Sequence, residues 1–194
     1  MVYVVVLDLR ADDASYDNNI GNNIVLAGDT HENWVSDLVW LDEKGYDPIT
    51  GEGALGAEFG GTAVTSTGSC DETVAAPIAR CNIQAQKLLR DNEELQWHEG
   101  WYRGYFELQI TPQQVNAHFF GLPSVQTRNG YEVSLANFTV ENGANRLSRP
   151  VAGGVVEDGA LQRGETSMSK LTLDTNTGEY FVHEFTRVTI NTDH

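Results

Sequence analysis

Basic side chains are scarce in this 194-residue chain. Nine Arg and three Lys, scattered singly, stand against 28 Asp and Glu, for a formal net charge of −16 and a sequence pI near 4.5. With no basic patch to offset repulsion from phosphates, nucleic acid and other polyanions are poor partners. Long hydrophobic runs are also missing, and none approaches the roughly 20 residues of a membrane-spanning helix. Residues 1–7 (MVYVVVL) lack the basic flank and small-residue cleavage site of a signal peptide, and Asp8 and Arg10 follow at once. They read as a strand. Proline is rare, five against 19 Gly, and with many Thr and Val this predicts a β-rich chain with tight turns. Neither a repeat nor a low-complexity tract interrupts it. A content of 40% hydrophobic and 9% aromatic residues excludes disorder, and the length suits one domain or at most two small ones.

Cysteine is almost absent: only Cys70 and Cys81, eleven positions apart. On one helix their Cα atoms would lie about 16 Å apart, whereas a disulfide needs less than about 7 Å. They are either free thiols or a pair in which Cys70 sits in a loop folded back on the helix start. The spacing fits no zinc motif. Asn137-Phe138-Thr139 forms an N-glycosylation sequon. Together, the sequon and the cysteine pair lean toward a Cys70–Cys81 disulfide, a glycan on Asn137 and an oxidising, extracellular compartment.

Residues 11–23 are dense in Asp and Asn and read as a surface loop. Residues 24–27 (IVLA) form a short apolar run, the pattern of a strand buried on both faces. Residues 33–41 fit a helix or a strand equally. Residues 46–55 are irregular, and 58–67 predict a strand interrupted by Gly60-Gly61. One helix is expected between about Glu72 and Glu94, with Val74, Ile78, Ile83, Leu88, Leu89 and Leu95 on its apolar face and Pro77 either in its first turn or breaking it. Residues 104–110 and 115–120 then alternate around Thr111-Pro112 as a hairpin. Further strands are expected at 131–135, 137–140, 167–173 and 180–190, the last two separated by the turn-forming residues 174–178.

The sharpest local feature is Gly28-Asp29-Thr30-His31, directly after the apolar run at 24–27. Polar groups at the carboxyl end of a buried strand sit where open α/β sheets place ligands. In extended geometry Asp29 and His31, at i and i+2, share one face. A carboxylate and an imidazole converging there suit a metal ion, with Gly28 permitting the turn. The plainer reading is that Asp29 caps a following helix and His31 is an ordinary surface residue.

Wider context favours the metal. Residues 23–34 with Asp37-Leu38 resemble the last metal-binding block of the alkaline phosphatase D (PhoD-like) family of calcineurin-type metallophosphoesterases. Residues 56–66 (GAEFGGTAVTS) are similar to that family's "VEF…VTS" strand. Residues 91–97 with Tyr102-Arg103-Gly104-Tyr105 are similar to its "NP-x-L" and "RGY" signatures, and residues 145–154 (NRLSRPVAGG) to a tail of its secreted fungal branch. The resemblance implies hydrolysis of phosphate mono- or diesters at a multinuclear metal centre, commonly iron with calcium, with other divalent metals as alternatives. It also implies a four-layer α/β/β/α sandwich, of which residues 1–194 would be the C-terminal portion: an α/β, β-rich half with Asp29 and His31 as the final pair of metal ligands. The family's earlier ligand blocks have no counterpart here. Such a chain is expected to be weakly active or inactive alone, to expose an apolar sheet face, and to associate with the missing N-terminal half or with itself.

Other residues have plainer expected roles. His98, beside Trp97, reads as a partly buried packing residue, His118 as structural, His183 as surface or core, and His194 as uninformative. Arg103 reads as a structural ion-pair partner, and Trp34 as filler between sheet and helix. A competing reading makes the chain a secreted β-rich module that binds glycans through Trp and Tyr and calcium through Asp12, Asp13, Asp17 and Asn18.

Overall fold

The computed structural model describes residues 5–6, 21–40, 45–70, 78–126, 128–164, 171–173, 180–182 and 186–187. A short strand β1 (Val5–Val6) pairs antiparallel with β2 (Ile24–Ala27), the expected apolar run. Of β2 only Ile24 is fully buried, so this strand is less enclosed than its composition predicts. The run at 33–41, ambiguous by periodicity, forms the strand β3 (Asn33–Leu38). Next, β4 (Gly56–Gly60) lies between β2, to which it is parallel, and β3, to which it is antiparallel. This strand ends at Gly60 rather than continuing to Thr67, because residues 61–67 leave the sheet. Two strands absent from the sequence reading, β5 (Leu95–Glu99) and β9 (Ala160–Leu161), complete a sheet ordered β1-β2-β4-β3-β5-β9.

The expected hairpin is present as β6 (Arg103–Ile110) and β7 (Gln114–Leu122). Residues 131–140, expected as two strands, form one, β8 (Tyr131–Glu141). A bulge explains the difference. Phe119 pairs with Ala136 and Phe120 with Ser134, leaving Leu135 as an extra residue. The inward positions therefore change from Val133 and Leu135 to Ala136, Phe138 and Val140, which breaks the period-two signal. Farther along, β10 (Leu171–Leu173) pairs with β11 (Tyr180–Val182), and β12 (Thr186–Arg187) adds to β8, giving a second sheet ordered β12-β8-β7-β6.

The two large sheets pack face to face. Trp97 on β5 lies 5.1 Å from Phe119 and 5.3 Å from Phe138 between ring centroids, and Phe59 on β4 lies 6.5 Å from Phe119. Because each sheet covers the apolar face of the other, the described residues do not present the expected bare apolar sheet. Their exposed large hydrophobics, Ile49, Val64, Ile83, Ile110 and Val155, fall singly on separate elements.

The helix α1 (Ile78–Asp91) covers the reverse face of the first sheet. Its expected beginning, with Val74 and Pro77, lies outside the described residues. It ends at Asp91, where the Asn92 side chain donates to the Leu88 carbonyl at 2.8 Å. Cys81, Ala85 and Leu89 are buried at four-residue spacing, and Ala85 and Leu89 pack with Leu95, Ala160 and Trp34. Ile83 is 66% exposed, two residues off that stripe, and does not belong to the apolar face as expected. Trp34 fills the space between sheet and helix as expected.

Glu58 alternates with the buried Ala57 and Phe59 and so points to the opposite face of β4. Burial raises its carboxyl above the ordinary 4.5. Folding thus favours the neutral acid, a contribution present at low pH and lost as pH rises through the raised folded value. Glu58→Gln is expected to melt higher than the parent chain near neutral pH, with the gap closing below pH 4.5. Thermal melts across that range check it.

Candidate metal centre

The segment bearing Asp29 and His31 must cross the end of β4. Since β2 and β3 both pair with β4 and run in opposite directions, residues 28–32 have to span two strand spacings, close to 10 Å, and reverse the chain. They do so with left-handed backbone at Asp29 (φ 78°) and His31 (φ 59°). This corrects the expected extended geometry: the pair is not on one face of a strand, and Asp29 and His31, rather than Gly28, take the positive φ. Asp and His are among the residues that tolerate this region best. The non-Gly cost is about 1–3 kcal/mol each and requires support from the surroundings. A strand follows, so Asp29 caps no helix.

That support is dense around His31. Its Nδ1 donates to the Thr67 carbonyl at 2.7 Å. A carbonyl only accepts, so Nδ1 carries the proton and, in the neutral ring, Nε2 carries the lone pair. The His31 carbonyl accepts from Thr62 Oγ1 at 2.9 Å and from Arg103 Nη1 at 2.6 Å. Arg103 opens β6 and is 2% exposed. Its guanidinium also donates to the carbonyls of Ser66 and Gly100, both at 3.3 Å, so it ties loops together.

Beneath the crossing lie two buried carboxylates. Glu32 accepts from His98 Nε2 at 2.7 Å, from Ser69 Oγ, and from Gln84 Nε2 at 3.5 Å. Burial opposes its charge, but the hydrogen bonds from His98 and Ser69 and the charges of His98 and Arg103 prevail, holding the carboxyl below the ordinary 4.5. Glu99 accepts from the backbone N–H groups of Trp101 (2.5 Å) and Tyr102 (3.0 Å) and from Asn33 Nδ2 (3.0 Å). There burial wins and pushes the carboxyl up. His98, expected to be a packing residue, is instead 1% exposed, paired with Glu32 and edge-on to Trp34 at 4.6 Å. Its role was hidden because Glu32 lies 66 residues earlier.

The remaining candidates fall elsewhere. A disulfide joins Cys70 and Cys81 with Cα atoms 5.6 Å apart, anchoring the 62–70 segment to α1. Asn137 is exposed in mid-β8. His118 donates or accepts at Ser134 Oγ (2.9 Å) on the outer face of the second sheet. Asp12, Asp13, Asp17, Asn18, His183 and His194 lie outside the described residues. A cleft of about 260 Å³ bordered by Thr50, Arg146, Ser148 and Arg149 includes neither Asp29 nor His31.

Among the described residues no three His, Cys, Asp or Glu side chains gather as a metal-binding cluster. The residues present nevertheless fit part of such a centre: an imidazole whose Nδ1 is held by a carbonyl has its Nε2 directed for ligation, the usual arrangement in metal sites, and Asp29 adds an exposed carboxylate.

The architecture is that of a two-sheet α/β domain with its candidate ligands in the crossover at the strand ends. Residues 10–119, more than half of the chain, match the PhoD-like phosphatase family. Alkaline phosphatase D of Bacillus subtilis (strain 168) is 32% identical over 148 residues, which span 76% of this chain and 23% of that protein. The solved structure described as "Structure of PhoD" shares the fold with a TM-score of 0.50 and 24% identity, over 78% of this chain and 25% of that one. The chain belongs to the PhoD-like phosphatase family, and it spans about a quarter of the length of these relatives.

Removing His98 leaves the buried Glu32 carboxylate without its imidazole. His98→Ala is therefore expected to cost about 3–5 kcal/mol in urea unfolding, and His98→Gln, which keeps an N–H donor, to recover part of it.

Proposed function

We propose that this chain is the C-terminal portion of a phosphate mono- or diester hydrolase of the alkaline phosphatase D type, and that Asp29 and His31 are the last two ligands of its multinuclear metal centre. The observation that carries the reading is the hydrogen bond from His31 Nδ1 to the Thr67 carbonyl, which in the neutral ring leaves the Nε2 lone pair available to a metal. Family membership supplies the reaction class. In such a centre, bound metal ions activate water and neutralise phosphoryl charge; iron with calcium is the combination this reading favours. Asp29 and His31 would hold their share of that centre at the carboxyl ends of β2 and β4. The layers seen here, a helix on one sheet packed against a second sheet, would form part of a four-layer sandwich completed by the N-terminal half as partner.

Two ligands lack the surrounding donor set that gives high affinity. Purified alone, the chain is expected to bind metal weakly and to hydrolyse p-nitrophenyl phosphate and bis(p-nitrophenyl) phosphate slowly or not at all. Co-produced with the N-terminal part of a PhoD-like phosphatase, it should gain activity. In that assembly Asp29→Ala and His31→Ala should each lower turnover at least as much as the roughly 10–100-fold loss that follows removal of an outer-sphere partner. Full activity in either variant would overturn the assignment. The Cys70–Cys81 disulfide and the exposed Asn137 sequon support a secreted glycoprotein. The −16 charge suits a small metal-neutralised ester better than a nucleic acid.

A further inference from the structure

We infer that Arg103 is a positioning residue for His31: acting with Thr62 through the His31 carbonyl, it holds the strained crossover in the one conformation that directs His31 Nε2 outward. This rests on the metal reading proposed above.

Three features point to it. The buried Arg103 guanidinium donates to carbonyl oxygens from three separate loops, at His31, Ser66 and Gly100, and its planar fork of donors suits it to join them. One of these contacts, at 2.6 Å, is to the carbonyl of the very residue proposed as a ligand. His31 is gripped at both ends by the same segment, its carbonyl by Thr62 and its Nδ1 by Thr67. Rotation of the peptide plane at the His31 carbonyl would break the Arg103 and Thr62 bonds together.

Space around the guanidinium is also committed. A Cβ on Gly68 would lie 2.7 Å from both Arg103 Nη atoms and 2.9 Å from the His31 carbonyl oxygen, so the 62–70 segment closes over the contact with no room for a side chain. The disulfide from Cys70 to α1 fixes that segment from its other end. Arg103 is thus the point at which three loops meet, one of them carrying the candidate ligand.

The test uses the whole chain, labelled with 15N-histidine. Nitrogen-detected correlation spectra read the His31 tautomer without metal, and paramagnetic broadening by Mn2+ reads ligation even where affinity is weak. In the parent chain, His31 is expected as the less common Nδ1–H tautomer, with its ring signals broadened by Mn2+. Arg103→Ala and Thr62→Val should shift the ring toward the Nε2–H form and raise the Mn2+ concentration for half-broadening roughly 10-fold or more. Thr62→Ser, which keeps the hydroxyl, should restore both. If Arg103→Ala loses its cooperative melt, Thr62→Val decides the matter. A folded variant that retains the Nδ1–H tautomer and the parent Mn2+ response overturns the positioning role while leaving the metal reading intact. A parent chain whose His31 signals ignore Mn2+ overturns the metal reading, and the proposal with it, even where the tautomer moves as expected.

Discussion

The packing of Trp97 between Phe119 and Phe138 is the contact on which the rest of the structure depends. It joins the two sheets, and it does so from β5, a strand whose five residues are all buried. A strand enclosed on both faces is ordinarily apolar throughout. Here Trp97 takes the sandwich side, while Gln96 and His98 are turned to the other, 1% exposed each. Those polar groups must find partners or cost several kcal/mol each. The partners they find organise opposite ends of the first sheet.

At one end Gln96 donates to Tyr46 Oη at 3.1 Å, Tyr46 donates to Asp37 Oδ2 at 2.8 Å, and Arg149 closes the network on the same carboxylate. Burial and the neighbouring Asp37 charge push the Tyr46 hydroxyl well up, so it serves as a neutral donor. This accounts for part of the tail at 145–154: Arg149 neutralises a fully buried Asp37, and the Leu147 N–H donates to Asp37 Oδ1 at 2.8 Å. At the other end His98 pairs with Glu32, one residue past His31. The same strand therefore secures the scaffold at one end and supports the candidate centre at the other.

Legibility in the sequence followed the range of the interactions. The hairpin of β6 and β7 was readable because its alternation and its turn at Thr111 are local. The Asp29 and His31 pair was readable as chemistry, since a carboxylate and an imidazole after an apolar run are distinctive. Their geometry was not, because the left-handed backbone arises from crossing β4, a strand that enters the sheet some 30 residues later in the chain. Leu95-Gln96-Trp97-His98-Glu99 reads as a polar stretch around one aromatic, and only the contacts with Glu32, Asn33 and Asp158 show it to be a core strand. The bulge at Leu135 hid only the continuity of β8, by changing the phase of an otherwise regular pattern.

The supports of His31 have a common origin that clarifies why a local reading missed them. Thr62, Ser66, Thr67 and Ser69 all belong to the irregular segment between β4 and Cys70, which enters neither sheet as a strand. An irregular segment of that length would ordinarily lose its ordered state readily. Here its hydroxyls and carbonyls are spent on a buried Arg, a buried Glu and the His31 ring, and the disulfide ties its end to α1. Closing that loop covalently lowers the entropy of the unfolded chain rather than adding a contact to the folded one. The strain at Asp29 and His31 is thus offset outside their own strand connection, by charged hydrogen bonds and a cross-link whose residues lie 31 to 72 positions away from His31.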